Sequence, residues 1–155
     1  MLADTKAAIR KLLYQHYVFA ECIIEDVEWK NQGATVDVLL NYIWSDTDGW
    51  GFEQKSYVKE GLIRANLEQE IIKTIRFHLV QELHVQNWLP SDLEPLESLG
   101  WGFSEVSDIR LQEDNLFLSK YRNLPRKYHH ITFMWEGDRR IDVVFAAMEV
   151  LDGHE

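Results

Sequence analysis

Three side chains within one short stretch, Arg76, Glu82 and His84, bring together a fixed cation, a carboxylate and an imidazole. Those groups can move a proton or share a metal ion. All three fall on even positions of a segment whose odd positions are mostly apolar (Ile75, Phe77, Leu79, Leu83, Val85). In a strand they would therefore share the polar face. Neighbours on one face are ~7 Å apart, so Glu82 and His84 could act on one ligand, whereas His78 would lie ~13 Å from Glu82. His129 and His130 are adjacent, point to opposite faces of a strand, and can add at most one imidazole to the set. No metal site and no cofactor are expected from this material. A hydrogen-bonded sheet face with Arg76 paired to a carboxylate is the ordinary outcome. Cys22 alternates with Ala20 and Ile24 and reads as a buried thiol, and as the single cysteine it excludes an internal disulfide. The sequence contains no G-x-S-x-G, no P-loop, no dinucleotide fingerprint and no H-E-x-x-H.

A second constellation suits binding better than catalysis. Gly49-Trp50-Gly51-Phe52 recurs as Gly100-Trp101-Gly102-Phe103, each copy behind a polar loop. Glycines on both sides of Trp50 and of Trp101 would let the backbone present the indole at a loop edge, where the pair could clamp a ligand or a partner. Alternatively, the same aromatics plug the ends of a sheet. No longer repeat surrounds them, so domain duplication is not indicated. Charge points the same way. The chain carries a formal −10, and residues 91 to 114 hold Asp92, Glu94, Glu97, Glu105, Asp108, Glu113 and Asp114 against Arg110 alone, a net −6. Such a surface repels nucleic acid and anionic lipid and attracts a protein with a basic surface. The basic concentration, Arg126 and Lys127 with Arg139 and Arg140 at a hairpin tip, carries no nucleic-acid motif. It reads as solvated charge or as an internal counterpart of the acidic segment.

The elements that must position these groups follow from periodicity. Asp4 or Thr5 can cap a helix with Ala8, Ile9, Leu12 and Leu13 on one side. Alternation from Val18 to Ile24 resumes out of phase at Val27 and Trp29, which predicts a bulge near Glu25 and Asp26. Val36, Val38, Leu40, Tyr42 and Trp44 share a face, making residues 18–44 a hairpin. The 71–88 stretch is the central strand. Its eighteen residues would span ~60 Å if straight, so a bend is expected near Lys73 or Thr74. Residues 103–112 read as another strand, 113–128 as a long connection, and 129–150 as a final hairpin about residues 136–140.

A helix followed by strands joined through short turns predicts an α+β fold. The expectation is a single domain over residues 1–155, mainly antiparallel sheet with the N-terminal amphipathic helix packed on one face. Asp4 and Lys6 break any secretory apolar core, and no apolar run reaches membrane-spanning length, so a cytoplasmic protein with no membrane partner is expected. A small acidic α+β chain, rich in aromatics and without a catalytic signature, resembles bacterial immunity proteins in type rather than by any motif. The resemblance implies a protein-interaction module, an inhibitor that covers the basic site of a toxin-like partner. Its contacts would be Trp50, Trp101, Asp92, Glu94, Glu97, Glu105 and Asp108. The competing expectation is an enzyme or small-ligand-binding domain that uses Arg76, Glu82 and His84.

Overall fold

The computed structural model describes residues 2–16, 19, 22–41, 72–86, 108–113, 115–135 and 139–153. They form mostly antiparallel strand with two short helices. Helix α1 (Lys6–Gln15) begins where the Thr5 hydroxyl accepts the Ala8 N–H at 3.1 Å, and it buries Ile9, Leu12 and Leu13. Strands β1 (Ile23–Lys30) and β2 (Thr35–Asn41) are the predicted hairpin, closed by a 3-10 turn at Asn31–Gly33. The predicted bulge is present, since the register shifts between Ile24 and Asp26. Then come β3 (Ile72–His78), β4 (Glu82–Gln86), β5 (Asp108–Leu111), helix α2 (Leu116–Ser119), β6 (His129–Trp135), β7 (Arg139–Phe145) and β8 (Ala147–Asp152).

Two four-stranded antiparallel sheets result, in the orders β1-β2-β3-β8 and β4-β7-β6-β5. The 71–88 segment is thus not one strand. It leaves the first sheet after His78 and enters the second at Glu82, so its bend lies at Leu79 and not near Lys73 or Thr74, which are in register within β3. The reason is local. Leu79 adopts a left-handed φ of 53°, and the register sum changes by one residue between the His78–Ala147 and Glu82–Val144 pairs, a bulge that redirects the strand. Ala146 breaks the chain opposite it, so β7 and β8 switch sheets at the same place, and the turn is held by Ala146 N–H to His78 C=O and Gln81 N–H to Val144 C=O. The final stretch is accordingly three strands rather than a two-strand hairpin, although β6 and β7 do pair as expected.

The inward faces enclose one core. Val36, Val38 and Leu40 of β2 and Ile75 and Phe77 of β3 meet Ile131 and Phe133 of β6 and Ile141, Val143 and Phe145 of β7. The Phe77 ring lies edge-on to Phe133 at 6.1 Å and tilted against Phe145 at 4.8 Å, which ties the two sheets together. Ile9, Leu12 and Leu13 of α1 belong to the same cluster, as does Cys22, buried as expected. The alternation fails beyond the bend: Leu79 is 41% exposed and Val85 is exposed too.

Candidate functional site

The three residues expected to share a face do not meet. Arg76 stays on the first sheet, where its Nε and Nη2 donate to the two oxygens of Asp37 at 2.8 and 2.9 Å. Lys30 adds a contact at 2.8 Å to the same carboxylate, whose side chain is almost fully buried. Burial opposes ionisation of Asp37, but the hydrogen bonds from Arg76 and Lys30 outweigh it and hold the carboxyl below its usual range. This is the carboxylate partner that the sequence led one to expect for Arg76.

Glu82 and His84 lie on the outer face of the second sheet and contact each other, with Nε2 of His84 2.8 Å from Oε1 of Glu82. The other Glu82 oxygen accepts the Tyr121 hydroxyl at 2.6 Å and sits 3.1 Å from Lys120. Burial and the bond to Glu82 together push the Tyr121 phenol up to about 12, while Glu82 itself is lowered by its three donors despite partial burial. The segment read as a plain connection therefore contains α2, whose following turn closes over this face.

Beside Glu82 lies a network that sequence reasoning missed. Asp142 is paired in register with His84 on one side and Thr132 on the other. Its carboxylate takes four bonds: from His130 Nε2 at 2.6 Å, Thr132 Oγ1 at 2.7 Å, Arg140 Nη2 at 2.7 Å and Arg140 Nε at 2.8 Å. Burial works against the charge, but these donors hold the carboxyl far below the usual carboxylate range. Asn115 fixes the imidazole. Its Oδ1 accepts the Phe117 and Leu118 N–H groups at the start of α2, which turns its Nδ2 toward the Glu113 carbonyl and His130 Nδ1, at 2.8 and 2.9 Å. With Nδ1 accepting, the proton of a neutral His130 resides on Nε2, directed at Asp142. Both ring nitrogens are committed, Nε2 to Asp142 and Nδ1 to Asn115. The available signal was an acid within the apolar run Ile141–Phe145, a position where a charge needs buried partners. The two arginines read as hairpin-tip charge also behave otherwise. Arg139 is buried with its guanidinium 6.0 Å from the Trp135 ring, and Arg140 is bound to Asp142.

A cavity of about 630 Å³ opens between residues 4–6 and the 121–129 segment, with Leu118 of α2 in its lining. Asp4 is the one acid in its lining, against Lys6, Arg122, Arg126 and Lys127. Lys6 is shared with Glu113 at 3.2 Å, whereas Arg126 and Lys127 have no ion-pair partner among the described residues. Leu118, Leu124, Pro125 and the rings of Tyr121 and Tyr128, 5.1 Å apart, supply its apolar wall. His129 also lines it. Its Nε2 donates to the Asp4 carbonyl at 2.9 Å, while Nδ1 is buried without a hydrogen-bond partner among the described residues. Burial pushes this imidazole below its usual pKa, more strongly than the Asp4 carbonyl raises it, which keeps the ring neutral and Nδ1 a bare acceptor.

Among the residues expected to touch a partner, Asp108 opens β5 and is paired with Arg110 at 2.8 Å. Trp50, Trp101, Asp92, Glu94, Glu97 and Glu105 lie outside the described residues. Among the described residues no group of His, Cys, Asp and Glu could hold a metal ion, and no helix is long and apolar enough to cross a membrane.

Comparison with known proteins adds one likeness. No protein-family model matches the chain, and no curated protein does. Among solved structures, the crystal structure of an uncharacterized protein from Neisseria gonorrhoeae is similar over 84% of this chain and 90% of that one, at 10% sequence identity and a TM-score of 0.44.

Proposed function

We propose that this chain is a binding module rather than an enzyme, a single cytoplasmic domain over residues 1–155 that associates with a protein of basic surface. Its role would be that of an immunity-type inhibitor. The observation that carries the reading is the state of the acid–base groups on the second sheet. Asp142 and His130 are saturated by their own neighbours, and Glu82 is held by Tyr121, Lys120 and His84. Groups locked this way build a rigid face, which supports reading them as architecture. The formal charge of −10 and the acidic 91–114 stretch then supply attraction for a basic partner, fast in onset and sensitive to salt. The single-domain assignment rests on the shared core and on the two segments that run through both sheets.

The test compares the native chain with a variant in which Asp92, Glu94, Glu97 and Glu105 are changed to their amides, both immobilised and exposed to a host lysate. A basic protein retained at low salt by the native chain alone, and released as salt rises, supports the proposal. Equal retention by both chains, or retention that salt does not alter, overturns it.

A further inference from the structure

We propose that α2 is a proton-sensitive latch: it lies over the second sheet only while His130 is neutral, and proton uptake at Nδ1 of His130 releases its first turn. The device is independent of the basic protein partner proposed above. It follows from the side chain of Asn115, which is not free to turn round. Its Oδ1 accepts the Phe117 and Leu118 N–H groups at 2.8 and 3.3 Å, and its Nδ2 donates to the Glu113 carbonyl at 2.8 Å and to His130 Nδ1 at 2.9 Å. A flipped amide would lose the Phe117, Leu118 and Glu113 bonds together, setting donor against donor and oxygen against oxygen. Nε2 of His130 is equally fixed, because Asp142 accepts from it at 2.6 Å. A second ring proton therefore goes to Nδ1, where it confronts the Asn115 amino group. The imidazolium and the docked Asn115 exclude each other.

The charges around the ring decide which side yields. Asp142 is held far below the usual carboxylate range, so it stays ionised and pairs with an imidazolium whether or not α2 is in place. Arg140, also of β7, is bound to that carboxylate. From β4, Glu82 and His84 face the same side, with Glu82 shared among Tyr121, Lys120 and His84. From β5, Arg110 faces it in register with Thr132 and is paired with Asp108. The Glu113 carboxylate is bound to Lys6 and Arg10. A charged His130 thus keeps its strongest partner, while α2 loses the residue that caps it. Phe117 moves with that turn. Its ring lies 4.6 Å from His130 and 5.1 Å from His84, so release uncovers both imidazoles. One proton separates the two states. The ratio of docked to released α2 should therefore fall by about tenfold per pH unit once the released His130 is charged.

The test is a nuclear magnetic resonance series on the full chain from about pH 8 to about pH 5, where imidazoles titrate and ordinary carboxylates remain ionised. Ring-nitrogen shifts report the His130 proton, and Overhauser contacts of the Phe117 ring with His84 and His130 report docking. In the native chain the contacts should fade over the same interval in which Nδ1 gains its proton. Asn115→Asp keeps a capping oxygen and offers its second oxygen to a protonated Nδ1, so N115D should hold the contacts at the acid end of the series. H84Q, changed at a half-exposed position, removes the other imidazole against Phe117 and should leave the fading of the Phe117–His130 contact unaltered. The proposal is overturned if His130 stays neutral throughout the series, if the contacts survive in the imidazolium form, or if N115D loses them as the native chain does. Contacts that no longer respond to pH in H84Q would place the switch at His84 and overturn it equally.

Discussion

Changing Asp142 to Asn tests the locked face most directly, because the substitution keeps shape and removes only charge and one acceptor. The native carboxylate receives four donors at 2.6 to 2.8 Å and is itself only 3% exposed. An amide offers one oxygen. If that oxygen faces His130 and Thr132, the new amino group confronts Arg140 Nε, donor against donor. If it is flipped, His130 Nε2 and the Thr132 hydroxyl lose their acceptor inside the protein. Arg140 is about one-third exposed (35%) and can turn to water, so its share of the loss is discounted. The buried His130 and Thr132 cannot. Breaking a buried charged network on one side costs about 3–5 kcal/mol, and the discount for Arg140 brings the expected loss to about 2–4 kcal/mol. With an unfolding entropy of about 2 cal/mol/K per residue, 155 residues give about 0.3 kcal/mol per degree, so the melting temperature should fall by roughly 10 °C at pH 7. The pH dependence has a definite sign. A carboxyl lowered by folding contributes stability that is present above its ordinary value of 3.8 and is lost as pH falls below that. The gap between native chain and variant should therefore be full at pH 7 and narrow progressively below 3.8. Calorimetric melts of both chains across that range measure it. A variant that melts within about 2 °C of the native chain, or a gap that does not change below pH 3.8, would refute the network.

Further expectations concern the bend and the two titrating rings. Because Leu79 sits at a left-handed φ of 53°, Leu79→Ile should cost about 1–2 kcal/mol and Leu79→Gly well under 1, measured by chemical denaturation; equal losses would mean the bend does not depend on this residue. Phe77→Ala should cost about 3–5 kcal/mol in the same assay, since Phe77 is fully buried between Phe133 and Phe145; a loss near 1 kcal/mol would place the core elsewhere. Tyr121, raised from 10.0 to about 12, should give a late step in an ultraviolet titration, and Tyr121→Phe should remove that step. Its bond to Glu82 then stabilises the fold below pH 10 and is lost as pH rises through about 12. His129 is lowered from 6.5, so the unfolded chain takes up the proton first. Stability from this group should be full above 6.5 and decline as pH drops below it, and a stability curve flat from pH 8 to pH 5 would contradict that assignment.

Much of the frame could be read from local pattern. The β1–β2 hairpin and its bulge follow from the phase of Ile24, Val27 and Val36–Leu40, because a period-2 slip is recorded directly in the order of residues. The 71–88 segment was recognisable as extended, yet its bend was not. No glycine or proline marks the turn, and a leucine takes the left-handed conformation because the register around it demands one extra residue. Helix α2 was invisible for a different reason: four residues are too few to show a helical period, and its start depends on Asn115 also reaching His130. The polar face was half legible. Glu82 and His84 are neighbours in sequence and remain so in space, whereas Asp142, Thr132 and His130 converge only through strand register between distant segments. Adjacent Arg126 and Lys127 were evident as a charge pair, but that they share a cavity with Lys6 and His129 depends on tertiary folding.

The paired bends at Leu79 and Ala146 also bear on how the chain reaches this structure. Hairpins β1–β2 and β6–β7 close short loops and can form early at little entropic cost. Neither completes a sheet. Each sheet is finished only when the 72–86 segment finds the 139–152 segment, across more than fifty intervening residues, and that one encounter creates the β3–β8 and β4–β7 ladders together. Folding should therefore be limited by a single late zippering event of high sequence separation, slow for a chain of this length. Mutations along that seam should change the folding rate, while those confined to β1 should act mainly on unfolding.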